Sequence, residues 1–409
     1  MEKINKRKIF NDPVLGFVSI SDDLLFDIIE HPYFQRLRRI SQTGLSYYVY
    51  PGATHSRFLH ALGGIQLMQI THKILRDKGV EISKEEERAS LIAILLHDIG
   101  HGPFSHALES TLLDGIHHEN LSITFMNLLN EEFNNELSLA IDIFLNKYPR
   151  KFFHQLISSQ IDLDRLDYLK RDSFFTGVSE GNVNSERIIT MMNVINDELV
   201  IDSKGIYSIE KYLTSRMFMY WQVYFHKTSV TAEIYLIEAL KRAKQLTKEG
   251  KEVPASDILN YFLKKSDFIK LTKVDLEKFA QLDDSDIISA LKLWQADEDK
   301  ILSLLSQFII QRKLPFSCII SEPISKDKLL KLENATKELF DIEDGKNFVH
   351  QKDLSVLAYN DKKDPIKLLL KNGEIIELQK ADNQVLVKDL RKKITRYHLC
   401  MPREIYGVK

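Results

Sequence analysis

The chain has few cysteines, no long apolar run and almost no net charge. Only Cys318 and Cys400 occur among its 409 residues, which excludes a disulfide framework and a thiolate metal site and fits a reducing cytoplasm. The longest apolar run, over residues 91–96, is far too short to span a bilayer, and residues 1–7 lead into no apolar signal segment. A formal charge of −2 provides no basic field for duplex nucleic acid. We therefore expect a cytoplasmic protein without a membrane or nucleic-acid partner.

The residues that are present predict a mainly α fold. Hydrophobic residues make up 44% of the chain, which is enough for a sizeable core, and the length suggests two to three domains. Residues 8–20 are typical of a short β-hairpin. Helical periodicity then dominates to about residue 246, over residues 56–78, 84–99, 119–131, 137–146, 150–171, 185–196 and 208–247.

The character of the sequence changes after the charged stretch 247–252. Three helical patterns run to about residue 313, and strand-like segments follow. Two of these segments, 366–370 and 374–378, flank Asn372-Gly373, a dipeptide favoured in hairpin turns. We therefore predict a boundary near residue 250 and a smaller α+β C-terminal part.

One buried helix leads into a pair of residues that suit a metal ion. The segment 89–96 is apolar on every side, so its helix should be buried all round, and it runs directly into His97-Asp98. A carboxylate at the end of a buried helix is costly unless a cation pairs with it, and a divalent metal would do so. A lone His-Asp pair is nevertheless more often a structural pair in the core than a metal site.

Other polar residues strengthen the metal interpretation. His101, His106 and the pair His117-His118 follow closely, and His60 lies upstream. Further along the chain, the three residues Asp164, Tyr168 and Asp172 are spaced i, i+4, i+8 and would share one helix face. That polar face could also be solvated surface.

Taken together, these segments resemble the HD-domain superfamily, whose pattern is H…HD…D. The similarity is greatest to its deoxynucleoside triphosphate triphosphohydrolase branch, which includes SAM-and-HD-domain proteins and bacterial dGTPase-like proteins. The matching stretches are residues 34–40, 47–60, 97–106 and 162–172, and the resemblance covers about residues 8–247. It implies an HD-domain helical bundle and phosphohydrolase domain over residues 1–250. The α+β region 251–409 would serve in oligomerisation or regulation.

The resemblance also implies roles for single residues. One divalent metal ion, of Mn, Fe, Ni, Zn or Mg, would be bound by His60, His97, Asp98 and Asp164. The catalytic group would comprise His101, His106, His118 and Glu109. Substrate contacts would come from Gln42, Arg57, Asp162, Arg165, Tyr168, Asp172, Arg216, Tyr224 and Lys227. Within that set, the basic residues would contact phosphates, whereas the two tyrosines would leave no room for a 2′-hydroxyl.

The implied reaction is hydrolysis of deoxynucleoside triphosphates, dGTP or dNTPs in general, to a deoxynucleoside and inorganic triphosphate. The implied assembly is a homo-oligomer, a dimer or tetramer, with a nucleotide activator. Two alternatives stay open at this point. The chain could be an HD phosphohydrolase acting on nucleotide monophosphates or signalling nucleotides, or it could be a nucleotide-binding oligomeric regulator with little catalysis.

Overall fold

The chain forms a mainly helical protein with small sheets, as the sequence predicts. A computed structural model describes residues 7–104, 111–113, 115–265 and 271–407. The N-terminal hairpin consists of β1 (Lys8–Asp12) and β2 (Gly16–Ile20), which pair antiparallel. Among the described residues, no helix is long and apolar enough to cross a membrane.

Helices build most of the chain up to residue 248. They are α1 (Asp23–Glu30), α2 (Pro32–Gln35), α3 (Arg57–Asp77), α4 (Lys84–Leu96), α5 (His118–Glu132), α6 (Ser138–Phe144), α7 (Phe152–Ile157), α8 (Leu163–Thr176), α9 (Ser185–Met191), α10 (Ile206–Met219) and α11 (Lys227–Lys248). Short 3-10 turns occupy Arg36–Arg39 and Gly44–Tyr48. Strands β3 (Met192–Ile195) and β4 (Glu198–Asp202) pair antiparallel between α9 and α10.

Three predicted helices are wrong in their extent. The pattern 150–171 is divided into α7 and α8, because Asp162 caps α8 by accepting hydrogen bonds from the amides of Arg165 and Ser159, each at 2.8 Å. The end of the pattern 185–196 is a strand, because Asn196 and Asp197 adopt positive φ angles of 53° and 58° and turn the chain back on itself.

The predicted long helix 208–247 is also interrupted. The chain forms a π-helical turn over Tyr220–Tyr224, and a new helix starts after His226, whose ring nitrogen accepts a hydrogen bond from the Thr228 amide at 3.3 Å. Such π turns occur frequently at functional sites. No glycine or proline marks this break in the sequence, so periodicity alone missed it.

The C-terminal part is α+β, as predicted. Its elements are α12 (Asp257–Lys264), α13 (Lys273–Phe279), α14 (Asp284–Trp294), α15 (Lys300–Ile310), β5 (Phe316–Ile320), α16 (Lys326–Phe340), β6 (His350–Val356), β7 (Lys367–Leu369), β8 (Ile375–Glu377), α17 (Val387–Leu390) and β9 (Ile394–Met401). Among the described residues between 250 and 313 there are four helices rather than three, and α16 was not predicted. One antiparallel sheet has the strand order β5-β9-β6.

The two parts of the chain share a hydrophobic core. Buried residues from Val18 to Cys400 belong to one contiguous cluster. A second sheet has the order β3-β4-β7-β8, in which β4 and β7 pair in parallel across the predicted boundary. The boundary near residue 250 stays a proposal, and residues on both sides of it reach the cavity described below.

Candidate functional site

The His-Asp pair lies at the end of the buried helix α4. Residues 89–96 are all buried, as the apolar pattern predicts. The turn after the helix passes so close to α5 that a Cβ on Gly100 would lie 2.2 Å from the His118 carbonyl oxygen. Ser122 joins the two elements, because its hydroxyl donates to the His97 carbonyl at 2.8 Å and accepts from the Gly100 amide at 2.9 Å. Close packing against α5 therefore fixes the position of this turn.

His60 lies on α3 and is held by a buried chain of charges. Its Nδ1 is 2.7 Å from Asp167 Oδ2, and Asp167 receives two hydrogen bonds of 2.8 Å from Arg171. Arg171 also pairs with Asp12 of the hairpin at 2.8 Å. Because Asp167 takes the Nδ1 side of the imidazole, the Nε2 of His60 is turned towards the His-Asp pair. Such an outer partner commonly orients a metal-binding histidine.

His60, His97 and Asp164 bring three ligand atoms together. These atoms lie within 4.8 Å of one another. Asp164 Oδ1 is 3.1 Å from His60 Nε2 and 3.6 Å from His97 Nε2. His97 Nδ1 is 2.7 Å from the Ile94 carbonyl, so its Nε2 also points inward. Both Nε2 atoms are buried without a hydrogen-bond partner among the described residues. Two imidazoles and a carboxylate in this arrangement fit a divalent transition metal.

The electrostatics of the cluster favour positive charge. Burial lowers the pKa of His60, but the adjoining carboxylates of Asp164 and Asp167 outweigh it and raise that pKa to about 10. Burial opposes ionisation of Asp164, yet the two histidines hold its pKa well below the usual value. The carboxylates thus draw a positive charge to the place where the ligand atoms meet, which is the condition for binding a cation.

The Asp98 carboxylate lies beside the cluster and also contacts Arg57. Its Oδ1 is 3.4 Å from His97 Nε2 and 3.4 Å from His101 Nε2, whereas its Oδ2 is 3.8 Å from His60 Nε2. The same Oδ2 accepts a hydrogen bond from Arg57. All four predicted metal ligands are therefore neighbours in space, although Asp98 is not one of the three that converge most tightly. Their assignment as ligands stays a prediction.

His101 and His118 form a stacked pair beside the cluster. Their ring centroids are 3.9 Å apart and the rings are inclined by 17°. Burial and the nearby Arg57 lower the pKa of His101 to about 3, against the pull of Asp98. His101 is therefore neutral near pH 7 and can accept a proton. The other two predicted catalytic residues, His106 and Glu109, lie outside the described residues.

A cavity of about 900 Å³ opens beside this cluster. Asp98, His101, His118 and Asp164 line its inner end. Seven of the nine predicted substrate residues also line it, namely Gln42, Arg57, Arg165, Tyr168, Asp172, Arg216 and Tyr224. The cavity therefore places predicted phosphate-binding, sugar-binding and metal-binding groups around a single space.

Two predicted substrate residues do not line the cavity. Asp162 is buried as the cap of α8 and pairs with Arg165 at 3.2 Å, so it can act on a ligand only through Arg165. Lys227 starts α11, and its carbonyl accepts a hydrogen bond from Thr231 at 2.7 Å. Substrate contacts by Asp162 and Lys227 stay predictions that the lining of this cavity does not support.

The predicted polar face of α8 is directed into the cavity. Asp164, Tyr168 and Asp172 all line it, so the i, i+4, i+8 prediction of one shared face is confirmed. Asp172 is buried and receives a hydrogen bond of 2.6 Å from the Tyr224 hydroxyl. Burial and Asp172 keep the pKa of Tyr224 well above the usual value, so this phenol stays protonated as the donor.

Some polar atoms of the cavity-lining residues have no hydrogen-bond partner within the described part of the chain. The Arg216 Nε, the Gln42 Oε1 and the Thr43 Oγ1 are buried without a hydrogen bond to the described residues. Arg216 lies 5.7 Å from the Tyr220 ring centroid. A buried guanidinium nitrogen without a carboxylate partner is suited to bind an anion such as phosphate.

Two features of the cavity were missed by the sequence analysis. His55 is fully buried, lies 2.7 Å from Asp172 Oδ1 and stacks on Phe175 at 4.5 Å. Its place two residues before Arg57, inside a stretch that matches the family, was the available signal. Residues 352–355 of β6 also line the outer end of the cavity, together with Glu233 of α11. No local pattern marks that strand as part of a site.

Comparisons with known proteins identify the family. The HD domain family matches residues 58–172, and a family described as HD associated region matches residues 183–261. The chain is 35% identical to the uncharacterized protein YwfO of Bacillus subtilis, over 98% of this chain and 94% of that protein. The chain belongs to the HD-domain family. The four predicted metal ligands His60, His97, Asp98 and Asp164 all lie within the segment that matches the HD domain.

Further relatives and a solved structure agree with this membership. A crystal structure of a phosphohydrolase from Bacteroides thetaiotaomicron is 48% identical, with a TM-score of 0.93 over 97% of this chain and 100% of that chain. The deoxynucleoside triphosphate triphosphohydrolase SAMHD1 homolog of Dictyostelium discoideum is 33% identical over 59% of this chain. This chain spans 50% of that relative's length. Membership of the HD-domain family and the cluster of His60, His97 and Asp164 together support a metal-dependent phosphohydrolase.

Proposed function

We propose that this protein hydrolyses deoxynucleoside triphosphates to a deoxynucleoside and inorganic triphosphate. The observation that carries the proposal is the single cavity of about 900 Å³. The His60, His97 and Asp164 cluster, the His101–His118 pair and the polar face of α8 adjoin that one space. The name of the Dictyostelium relative supports the same reaction.

One divalent metal ion would be held by His60, His97 and Asp164, with Asp98 as the fourth ligand. Such an ion, when bound, lowers the pKa of a water molecule and neutralises phosphoryl charge. Asp167 keeps the Nε2 of His60 directed inward through its bond of 2.7 Å to Nδ1. The ligand set therefore needs little rearrangement to bind a cation.

The reaction balances without a further reactant. A water oxygen forms a bond to the α-phosphorus, the bond from that phosphorus to the 5′ oxygen breaks, and the 5′ oxygen gains a proton. The stacked His101 and His118 are the proposed carriers of that proton, because a neutral imidazole can take up a proton at one ring nitrogen and release one from the other. Arg57, Arg165 and Arg216 would hold the triphosphate, since phosphoryl transfer depends mainly on positioning and electrostatics.

The sugar end of the cavity supports a deoxyribose. Tyr168 and Tyr224 lie with ring centroids 6.2 Å apart, and Tyr224 holds the carboxylate of Asp172. Asp172 and the unpaired Oε1 of Gln42 would accept a hydrogen bond from the 3′-hydroxyl. The two rings would collide with a 2′-hydroxyl, and a steric clash discriminates between sugars more strongly than loose packing does.

Product analysis tests the proposal. Protein loaded with Mn²⁺ is incubated with each dNTP and each NTP in water enriched in ¹⁸O, and the products are resolved by ion-exchange chromatography and mass spectrometry. We expect deoxynucleoside, and triphosphate that carries one ¹⁸O. The double variant His97→Ala with Asp98→Ala should be inactive, whereas Asp257→Asn, an exposed residue of α12, should match the parent protein. Diphosphate in place of triphosphate would contradict the proposal.

The same assay separates the alternatives. Adding nucleoside monophosphates, cyclic nucleotides and signalling nucleotides to the panel tests another HD phosphohydrolase activity. Nucleotide binding without turnover under any metal would favour a regulator. We also propose a dimer or tetramer and a nucleotide activator, on the resemblance alone. Light scattering and rates measured with mixed nucleotides test both of these points.

A further inference from the structure

An aspartate of the C-terminal part contacts two loops that form the cavity wall. Asp284 is the first residue of α14, and it lies far along the chain from both loops. Its Oδ2 accepts a hydrogen bond from the Ser41 amide at 2.9 Å, and its Oδ1 accepts one from the Phe104 amide at 3.1 Å. The carboxylate thus joins the loop after the first 3-10 turn to the loop after the His-Asp pair.

Both loops carry residues that face the cavity. Ser41 directly precedes Gln42 and Thr43, whose side-chain oxygens are buried without hydrogen bonds to the residues that the structure describes. Phe104 lines the cavity three residues after His101. Asp284 itself is not among the lining residues. Any effect that it has on a ligand must therefore act through the two loops.

The Phe104 backbone needs an external support. Its φ angle is 49°, a left-handed conformation that is unfavourable for a bulky residue. Such a conformation persists only where its surroundings hold it, and the Asp284 carboxylate holds the amide of this residue. On the other side of the same loop, Arg36 donates to the carbonyls of Ile99 at 2.6 Å and His101 at 2.8 Å.

The first loop is also tied to the site by its backbone. The Gln42 amide donates to the His55 carbonyl at 3.0 Å, and the Arg57 amide donates to the Ile40 carbonyl at 3.0 Å. The neighbouring Asp283 pairs with Arg39 and thereby strengthens the attachment of α14 to this loop. Movement of α14 would therefore be transmitted to both walls of the cavity.

We propose that Asp284 is a positioning residue, which sets the distance between the Gln42 loop and the His101 loop and thereby the fit of the nucleotide. It lies outside both segments matched by the family comparisons, 58–172 and 183–261. The functional consequence rests on the proposed function, whereas the contact itself does not. We expect metal binding to change much less, because His60 and Asp164 lie on α3 and α8 and the His97-Asp98 pair precedes the residues that Asp284 holds.

Hydrogen–deuterium exchange tests the contact directly. In Asp284→Ala, the backbone amides of Ser41 and Phe104 should both exchange at least about tenfold faster, because both lose their acceptor. In Asp284→Asn at least one of the two should do so, because the asparagine side chain presents one acceptor oxygen and one donor nitrogen. The matched control is Asp257→Asn, since Asp257 is also the first residue of a helix but is exposed. Unchanged exchange at both amides in Asp284→Ala would overturn the inference.

Steady-state kinetics and metal titration test the consequence. We expect KM for the dNTP to rise about tenfold in Asp284→Asn, with the metal dissociation constant unchanged and with a smaller effect on kcat. Weaker metal binding in Asp284→Asn would indicate a general loss of folding and would refute the positioning role. An unchanged KM at normal metal affinity would refute it as well. If the parent protein hydrolyses no dNTP, the proposed function fails, while the exchange measurement still decides whether Asp284 holds the two loops.

Discussion

Replacing Gly63 by alanine should weaken metal binding from outside the ligand set. Gly63 lies on α3 against the buried ion pairs behind His60. A Cβ at this position would lie 2.0 Å from Asp167 Oδ1 and 2.4 Å from Arg171 Nη2, closer than the 3.0 Å that such contacts tolerate. The carboxylate must therefore move by about 1 Å, which is enough to break its hydrogen bond of 2.7 Å to His60 Nδ1.

The size of the effect follows from two known costs. Loss of the outer partner of a metal-binding histidine typically costs about 10- to 100-fold in metal affinity. Overpacking in a dense interior costs about 1–3 kcal/mol of folding stability. We therefore expect Gly63→Ala to bind Mn²⁺ at least about tenfold more weakly, as measured by calorimetry or chelator competition, and to unfold at lower temperature.

The neighbouring glycine provides a matched control. A Cβ on Gly64 would lie 2.9 Å from the Ile94 side chain, an apolar group that is not one of the buried ion pairs behind His60. Gly64→Ala should lose some stability but retain metal affinity. Equal metal affinity in Gly63→Ala and the parent protein would refute the claim that Asp167 orients His60. Equal weakening in both variants would refute it as well.

Three other perturbations have expected outcomes. Tyr224→Phe removes the hydrogen bond of 2.6 Å to Asp172, so KM for dNTPs should rise about tenfold and discrimination against NTPs should fall. Unchanged selectivity would contradict the proposal that Tyr224 and Asp172 bind the sugar. Burial lowers the pKa of His398 from 6.5 to about 4. The contribution of the neutral imidazole to folding stability is therefore complete above pH 6.5, and about 3 kcal/mol of it is lost as pH falls towards 4. His398→Asn should flatten this part of the curve of stability against pH, and an unchanged curve would contradict the reasoning. Glu210 Oε1 accepts hydrogen bonds from the backbone amides of residues 385–387 at 2.6–3.2 Å. Glu210→Gln should therefore lower the free energy of unfolding in urea by about 1–3 kcal/mol. No change would show that other contacts hold this segment.

The parts of the site that local sequence could predict are those carried by single helices. The apolar segment 89–96 places the His97-Asp98 pair because a helix apolar on all sides must be buried. The spacing of Asp164, Tyr168 and Asp172 places them on one face because helical side chains recur every three to four residues. The hairpin 8–20 followed from its turn residues in the same way.

The parts that could not be predicted depend on contacts between distant segments. Asp284 reaches the loops of the cavity wall and strand β6 reaches the cavity itself through tertiary packing, which no periodicity in their own sequence indicates. The π-helical turn at Tyr220–Tyr224 contains no glycine or proline that would mark a break. Hydrophobic periodicity therefore predicts one continuous helix through it. The contacts of Asp162 with the amides of Ser159 and Arg165 make it a helix cap, a role that the sequence analysis did not predict.

Crystals of the Mn²⁺-loaded protein test the central claim most directly. Diffraction data collected at the manganese absorption edge locate the ion by its anomalous signal, independently of any activity. We predict one strong peak about 2.0–2.2 Å from the Nε2 atoms of His60 and His97 and from an oxygen of Asp164. No peak between these three side chains, or a dominant peak elsewhere in the protein, would contradict the account.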